Sequence, residues 1–113
     1  MKNMLQSINV ANVEIKVNYK FDNLEEPIIL TIVENIKKGF NQKLDRYIEK
    51  HSKDDTEAHL NFQLAKNNKS LYDGNFNFKI WTENVIYKRE NFKNILDLVT
   101  HFFDHAKEQL SKK

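Results

Sequence analysis

Hydrophobic and polar positions switch between two periods along this chain, and the switches mark its elements. From residue 13, Val13, Ile15, Val17, Tyr19 and Phe21 alternate with Glu14, Lys16, Asn18 and Lys20, the period of a half-buried strand. Residues 1–9 before it show no clear period. Asp22-Asn23 offers a helix cap, with Glu26 as a capping-box partner and Pro27 tolerable only in a first turn. From there Ile29, Ile32, Val33, Ile36, Phe40, Leu44, Tyr47 and Ile48 follow helical spacing. The expected helix runs to about Lys50 and is ~35 Å long at ~1.5 Å per residue, weakened slightly by Gly39 inside it.

After a charged connector at residues 51–55, Ala58, Leu60, Phe62 and Leu64 restore the strand period, and the polar stretch 65–70 reads as a loop. Phe76, Phe78 and Ile80 give a third strand. Thr82-Glu83-Asn84 reads as a short turn and residues 85–88 as a fourth strand, so short loops favour antiparallel hairpins. Near Asn91 the period becomes helical again, through Phe92, Ile95, Leu96, Val99, Phe102, Phe103, Ala106 and Leu110, ending in a frayed tail at 111–113. The economical packing is an α+β domain, β-α-β-β-β-α, with two helices side by side on one face of a four-stranded sheet. Its other face would carry Lys16, Asn18, Lys20, Asn61, Gln63, Asn75, Asn77 and Lys79 and lie open to water. At 113 residues the chain has the size of one domain, spanning residues 1–113.

Composition narrows the chemistry. There is no cysteine, hence no disulfide, thiolate metal site or thiol nucleophile. No apolar run approaches the roughly 18 residues of a membrane span, and Met1-Lys2-Asn3-Met4-Leu5 leads into polar sequence rather than a signal-peptide core. A cytoplasmic protein with no membrane partner is expected. His101 and His105 are four apart on one helix, with Asp97 and Asp104 near, but the stretch lacks the general-base Glu of a zincin motif and no third ligand follows by spacing. They are expected to face solvent, with His51 and His59 isolated. The carboxylate pairs Glu25/Glu26 and Asp54/Asp55 fall in a first helical turn and a connector, where acids suit the dipole or the solvent. Gly39 and Gly74 are the only glycines, so no phosphate-binding loop exists. No enzyme, no cofactor, no metal and no small-molecule substrate are expected.

Net charge is only +2, and its distribution says more. Residues 34–53 carry six cations, Lys37, Lys38, Lys43, Arg46, Lys50 and Lys53, against Glu34, Asp45 and Glu49. Lys107, Lys112 and Lys113 close the second helix. If the helices lie parallel, these ends form one basic ridge suited to phosphates. A solvated helix end accounts for the same lysines, since cations suit a helix C-terminus. Trp81, Tyr72 and Tyr87 are placed to stack on bases or to pack at the sheet edge.

The element order resembles the ribosome hibernation-promoting factor and protein Y family in its short form, whose domains have a β-α-β-β-β-α fold like that of double-stranded-RNA-binding domains. Lys43-Leu44-Asp45-Arg46-Tyr47-Ile48 resembles the "KLE-x-Y/W" stretch closing that family's first helix, and Glu108-Gln109-Leu110-Ser111-Lys112 resembles its closing "RQL-x-K". The opening of the second helix, Phe92-Lys93-Asn94-Ile95-Leu96-Asp97-Leu98, differs from the family's Asp-Met-Tyr-Ala-Ala-Ile-Asp pattern. The resemblance implies binding to the small ribosomal subunit in the decoding channel, over the mRNA path and the A- and P-site tRNA positions, through lysine and arginine contacts to rRNA phosphates. It implies that translation is blocked and idle ribosomes preserved. Lys43, Arg46 and Lys112 lie in the matching motifs. The charge pattern adds Lys37, Lys38, Lys50, Lys107 and Lys113, and more weakly Lys88 and Arg89 at the expected strand–helix junction. The free chain is expected to be a monomer. The alternatives are another structured-RNA-binding module of double-stranded-RNA-binding type, or a protein-interaction domain using the sheet face or its edge.

Overall fold

In a computed structural model, residues 2–51, 57–81 and 83–112 are described. Lys113, Lys53, the Asp54/Asp55 pair, Thr82 and the side chain of His51 lie outside the described residues. The elements are β1 (Lys2–Val10), β2 (Val13–Asp22), α1 (Glu26–Lys43), α2 (Asp45–His51), β3 (Ala58–Lys66), β4 (Tyr72–Ile80), β5 (Glu83–Phe92) and α3 (Ile95–Ser111). The α+β class stands, but the expected four strands and two helices become five strands and three helices among the described residues.

The additional strand is β1, in the stretch without a clear period. It pairs antiparallel with β2, Val10 opposite Val13, and the connecting Ala11 and Asn12 both have positive φ, 51° and 64°. Two left-handed residues between paired strands are a type I′ hairpin turn. Met4, Gln6, Ile8 and Val10 face the core, while Asn3, Leu5, Ser7 and Asn9 face out. Gln6 inward and Leu5 outward spoil the alternation that would have announced the strand. Gln6 is tolerated because its Oε1 accepts a 2.6 Å hydrogen bond from the Tyr19 hydroxyl. Burial holds that phenol's pKa well above its ordinary range.

The long first helix is likewise divided. α1 stops at Lys43 and α2 begins at Asp45, with Leu44 between them at φ −111°, ψ −3°. The apolar stripe crosses the break intact, since Leu44 and Ile48 are both fully buried, so spacing alone does not reveal it. The cap differs too. Glu25 is the N-cap of α1 and contributes no side-chain bond, whereas Asn23 (φ 60°) donates to the carbonyl of Lys66 and ties the ends of β2 and β3 together. Pro27 does sit in the first turn. β5 continues to Phe92, past residue 88, and α3 starts at Ile95 behind Asn94, whose side chain accepts from the amides of Leu96 and Asp97.

The sheet order is β1-β2-β3-β4-β5, with β2 and β3 parallel and every other pair antiparallel. β5 therefore runs parallel to β2. α1 and α3 each return along the strand before them, which makes them parallel to one another. They touch where Gly39 lies against the Phe103 ring and where Lys43 meets Asp104. The helices cover one face of the sheet. Between the layers runs a continuous aromatic core: Tyr19 against Phe21 and Phe62, Phe62 stacked on Phe76 at 4.1 Å, Phe76 on Phe102, and Phe103 edge-on to Phe40. Among the described residues no helix is long and apolar enough to cross a membrane.

Candidate nucleic-acid interface

The parallel helices end together, at the edge of the sheet where β2 begins and β4 ends. Lys37 and Lys38 lie exposed on the second half of α1, Arg46 and Lys50 on α2, and Lys107 and Lys112 on the last turns of α3. The helical layer thus brings most of the sequence-derived cations to one end. It also brings acids there. Lys43 is ion-paired with Asp104 at 3.2 Å across the helix seam, and Lys112 with Glu108 at 3.4 Å along α3. Surface pairs of this kind contribute little to stability, but they neutralise two of the ridge's seven described cations. Arg46, Lys50, Lys37, Lys38 and Lys107 are the cations of the ridge whose charge is turned to solvent.

Lys88 and Arg89 do not join them. Both lie inside β5 rather than at its junction with α3, towards the end of the sheet where the helices start. Lys88 stands opposite Asn75 on the open face. Arg89 pairs with Gly74, where the ladder is bulged, and its guanidinium lies 4.5 Å from the Tyr87 ring on the other side. Tyr87 is buried against Phe76, Phe102 and His105, so it packs in the core and is not a stacking platform. Trp81 is half exposed in the β4–β5 turn. His105 packs on Tyr87, and His101 lies against Phe92. Among the described residues no group of three or more metal-ligating side chains forms.

The open face of the sheet is polar, as the alternation implies. Register places its side chains in cross-strand rows, with Asn18, Asn61 and Asn77 adjacent in the central row. Lys16, Lys20 and Lys79 stand on this face together with Lys88. Strand alternation locates these residues individually. Their arrangement relative to one another needs the strand order and register, which sequence spacing does not supply.

A scan against protein-family models, a search of curated proteins and a search of solved structures each returned no match.

Proposed function

We propose that this protein is a ribosome hibernation factor, which binds the rRNA of the small subunit's decoding channel and blocks translation while preserving idle ribosomes. The observation that carries the reading is the placement of the cations. From β2 onward the chain follows the strand–helix–three strands–helix order of that family, α2 continuing the first helical segment. Its two parallel helical segments deliver Arg46, Lys50 and Lys107 to the same end of the molecule. In this reading the protein acts in the cytoplasm as a monomer, takes no cofactor and performs no covalent chemistry. Phosphate contacts from a local ridge fit a net charge of only +2, because affinity then comes from shape and a few charges rather than bulk attraction.

Sedimentation through a sucrose gradient with purified small subunits tests this. The protein is expected to travel with the subunit at about 50 mM salt and to be released towards about 200 mM. Arg46→Glu/Lys50→Glu is the variant of choice, because Lys43 is already engaged by Asp104. Loss of co-sedimentation with an unchanged circular dichroism spectrum supports the ridge. Full retention by the folded variant rejects it.

A further inference from the structure

A second group of lysines lies on the opposite side of the molecule from the helical ridge. Three successive cross-strand rows occupy the middle of the open sheet face. The outer two hold Lys16 with Lys79, and Lys20 with Lys88. Among the described residues no acid occupies a position in these three rows. Glu14 lies beyond one end and is bonded by Ser7, and Glu57 reaches His59, which stands between Lys16 and Lys79, at 3.4 Å; Asp22 and Asp73 lie beyond the other end and, with Glu90, line one hollow with Lys20 and Lys88. The described ion pairs involve Lys2, Lys43, His59 and Lys112, and not Lys16, Lys20, Lys79 or Lys88. An indiscriminate lysine- and asparagine-rich composition would scatter acids here as it does over the helices.

The floor between the lysines is made of amides. Asn18, Asn61 and Asn77 sit side by side on three neighbouring strands, with Gln63 and Asn75 in the next row. Two hollows of about 580 and 480 Å³ share those three asparagines and so form one trough along the face. The side-chain oxygen of Asn77 is buried in the floor without a hydrogen-bond partner, at a cost in free energy. At the two ends of the asparagine row stand Leu5, 83% exposed, and Ile86, 59% exposed, two apolar side chains on an otherwise polar surface.

We infer that this trough binds single-stranded RNA. Each carboxamide carries a donor and an acceptor, the pair needed to read the edge of an unpaired base. The lysine rows lie four residues apart, ~13 Å, and flank the amides where a backbone crossing the trough would carry its phosphates. Leu5 and Ile86 offer apolar surface to base faces, and Trp81 stands at the end of the sheet next to Lys79. A duplex hides these base edges in its pairing, so it is the poorer ligand. An uncharged glycan would leave four lysines unexplained. The inference does not depend on the ribosome reading, which uses the other face.

Fluorescence anisotropy of a labelled ten-nucleotide RNA of mixed sequence, with the full chain, tests it. Four lysines predict a slope of log affinity against log salt of about −3, which is an affinity loss of about 50-fold between 50 and 200 mM salt. Lys20→Glu/Lys79→Glu, and independently Lys16→Glu/Lys88→Glu, are expected to weaken binding at least ~10-fold and flatten that slope. Asn61→Leu is expected to weaken it while leaving the slope intact. Arg46→Glu/Lys50→Glu is expected to bind the decamer as the parent does. The assignment is overturned by absence of saturable binding, or by folded trough variants that bind like the parent. It is also overturned if a hairpin duplex, the same sequence as DNA, or poly-glutamate competes as well as the RNA. Loss of decamer binding in the Arg46/Lys50 variant would move the site to the helices and overturn it too.

Discussion

Gln6 and Tyr19 show how a single pair of side chains permits a strand that its own sequence disguises. An amide on the core side of β1 is acceptable because the Tyr19 hydroxyl donates to it at 2.6 Å. Tyr19→Phe leaves the Gln6 carbonyl without that donor and is expected to cost about 1–2 kcal/mol in urea unfolding. The pH dependence has a definite sign. The buried phenol ionises well above its ordinary range when folded and near pH ~10 when unfolded, so the unfolded chain loses its proton first. Tyr19 therefore contributes to stability at neutral pH, and the contribution is lost as pH rises above ~10. The Phe variant should lose less stability between pH ~9 and ~11 than the parent. A parallel pair of stability–pH curves would show that the phenol is not protected. Gly39 is the second such position. A β-carbon there would overlap the Phe103 ring, which Phe40 and Phe102 hold on two sides. Gly39→Ala, favourable in an isolated helix, is expected to destabilise by about 1–3 kcal/mol because the helices can no longer approach. Equal or greater thermal stability would contradict that close contact.

At the scale of elements, period-2 and period-3.6 patterns located β2, β3, β4, β5, α1 and α3, because each has one face committed to the same core. β1 was not legible, since its two exceptions, Leu5 outward and Gln6 inward, fall side by side and cancel the alternation. Its turn was hidden as well: Ala11-Asn12 lacks the glycine that usually signals a type I′ hairpin. The division at Leu44 was not legible for the opposite reason, because the buried stripe through Leu44 and Ile48 continues across it. The turn makes a direct test. Ala11 holds a left-handed conformation that costs an L-residue roughly 1–2 kcal/mol. Replacing Ala11-Asn12 by Asn-Gly supplies the residues this turn prefers. The double variant is expected to gain about 0.5–1 kcal/mol, read from the urea midpoint at unchanged slope, and a loss would contradict the hairpin geometry.

At the scale of the whole molecule, the lysines of the candidate ridge could be selected from sequence only as far as helix ends could be guessed to adjoin. That guess needs the parallel β2–β3 pairing, which no local spacing encodes. Asp104, distant in sequence, neutralises Lys43 for the same reason, and Lys88 falls on the other face of the molecule because β5 extends past it. The same non-local packing decides how the protein unfolds. Phe76 lies at the junction of everything: stacked on Phe62, 5.3 Å from Phe102 and 6.3 Å from Tyr87. Removing either long helix or either half of the sheet uncovers part of this aromatic core, so the two halves are expected to unfold together. Far-UV circular dichroism and Trp81 fluorescence are therefore expected to report one transition in urea, although Trp81 sits in a turn at the rim of the sheet. Phe76→Ala should shift both probes together, by about 3–5 kcal/mol. If Trp81 instead responds at lower urea than the dichroism, the β4–β5 end opens on its own. The two halves of the sheet would then be separate cooperative units joined only through β3.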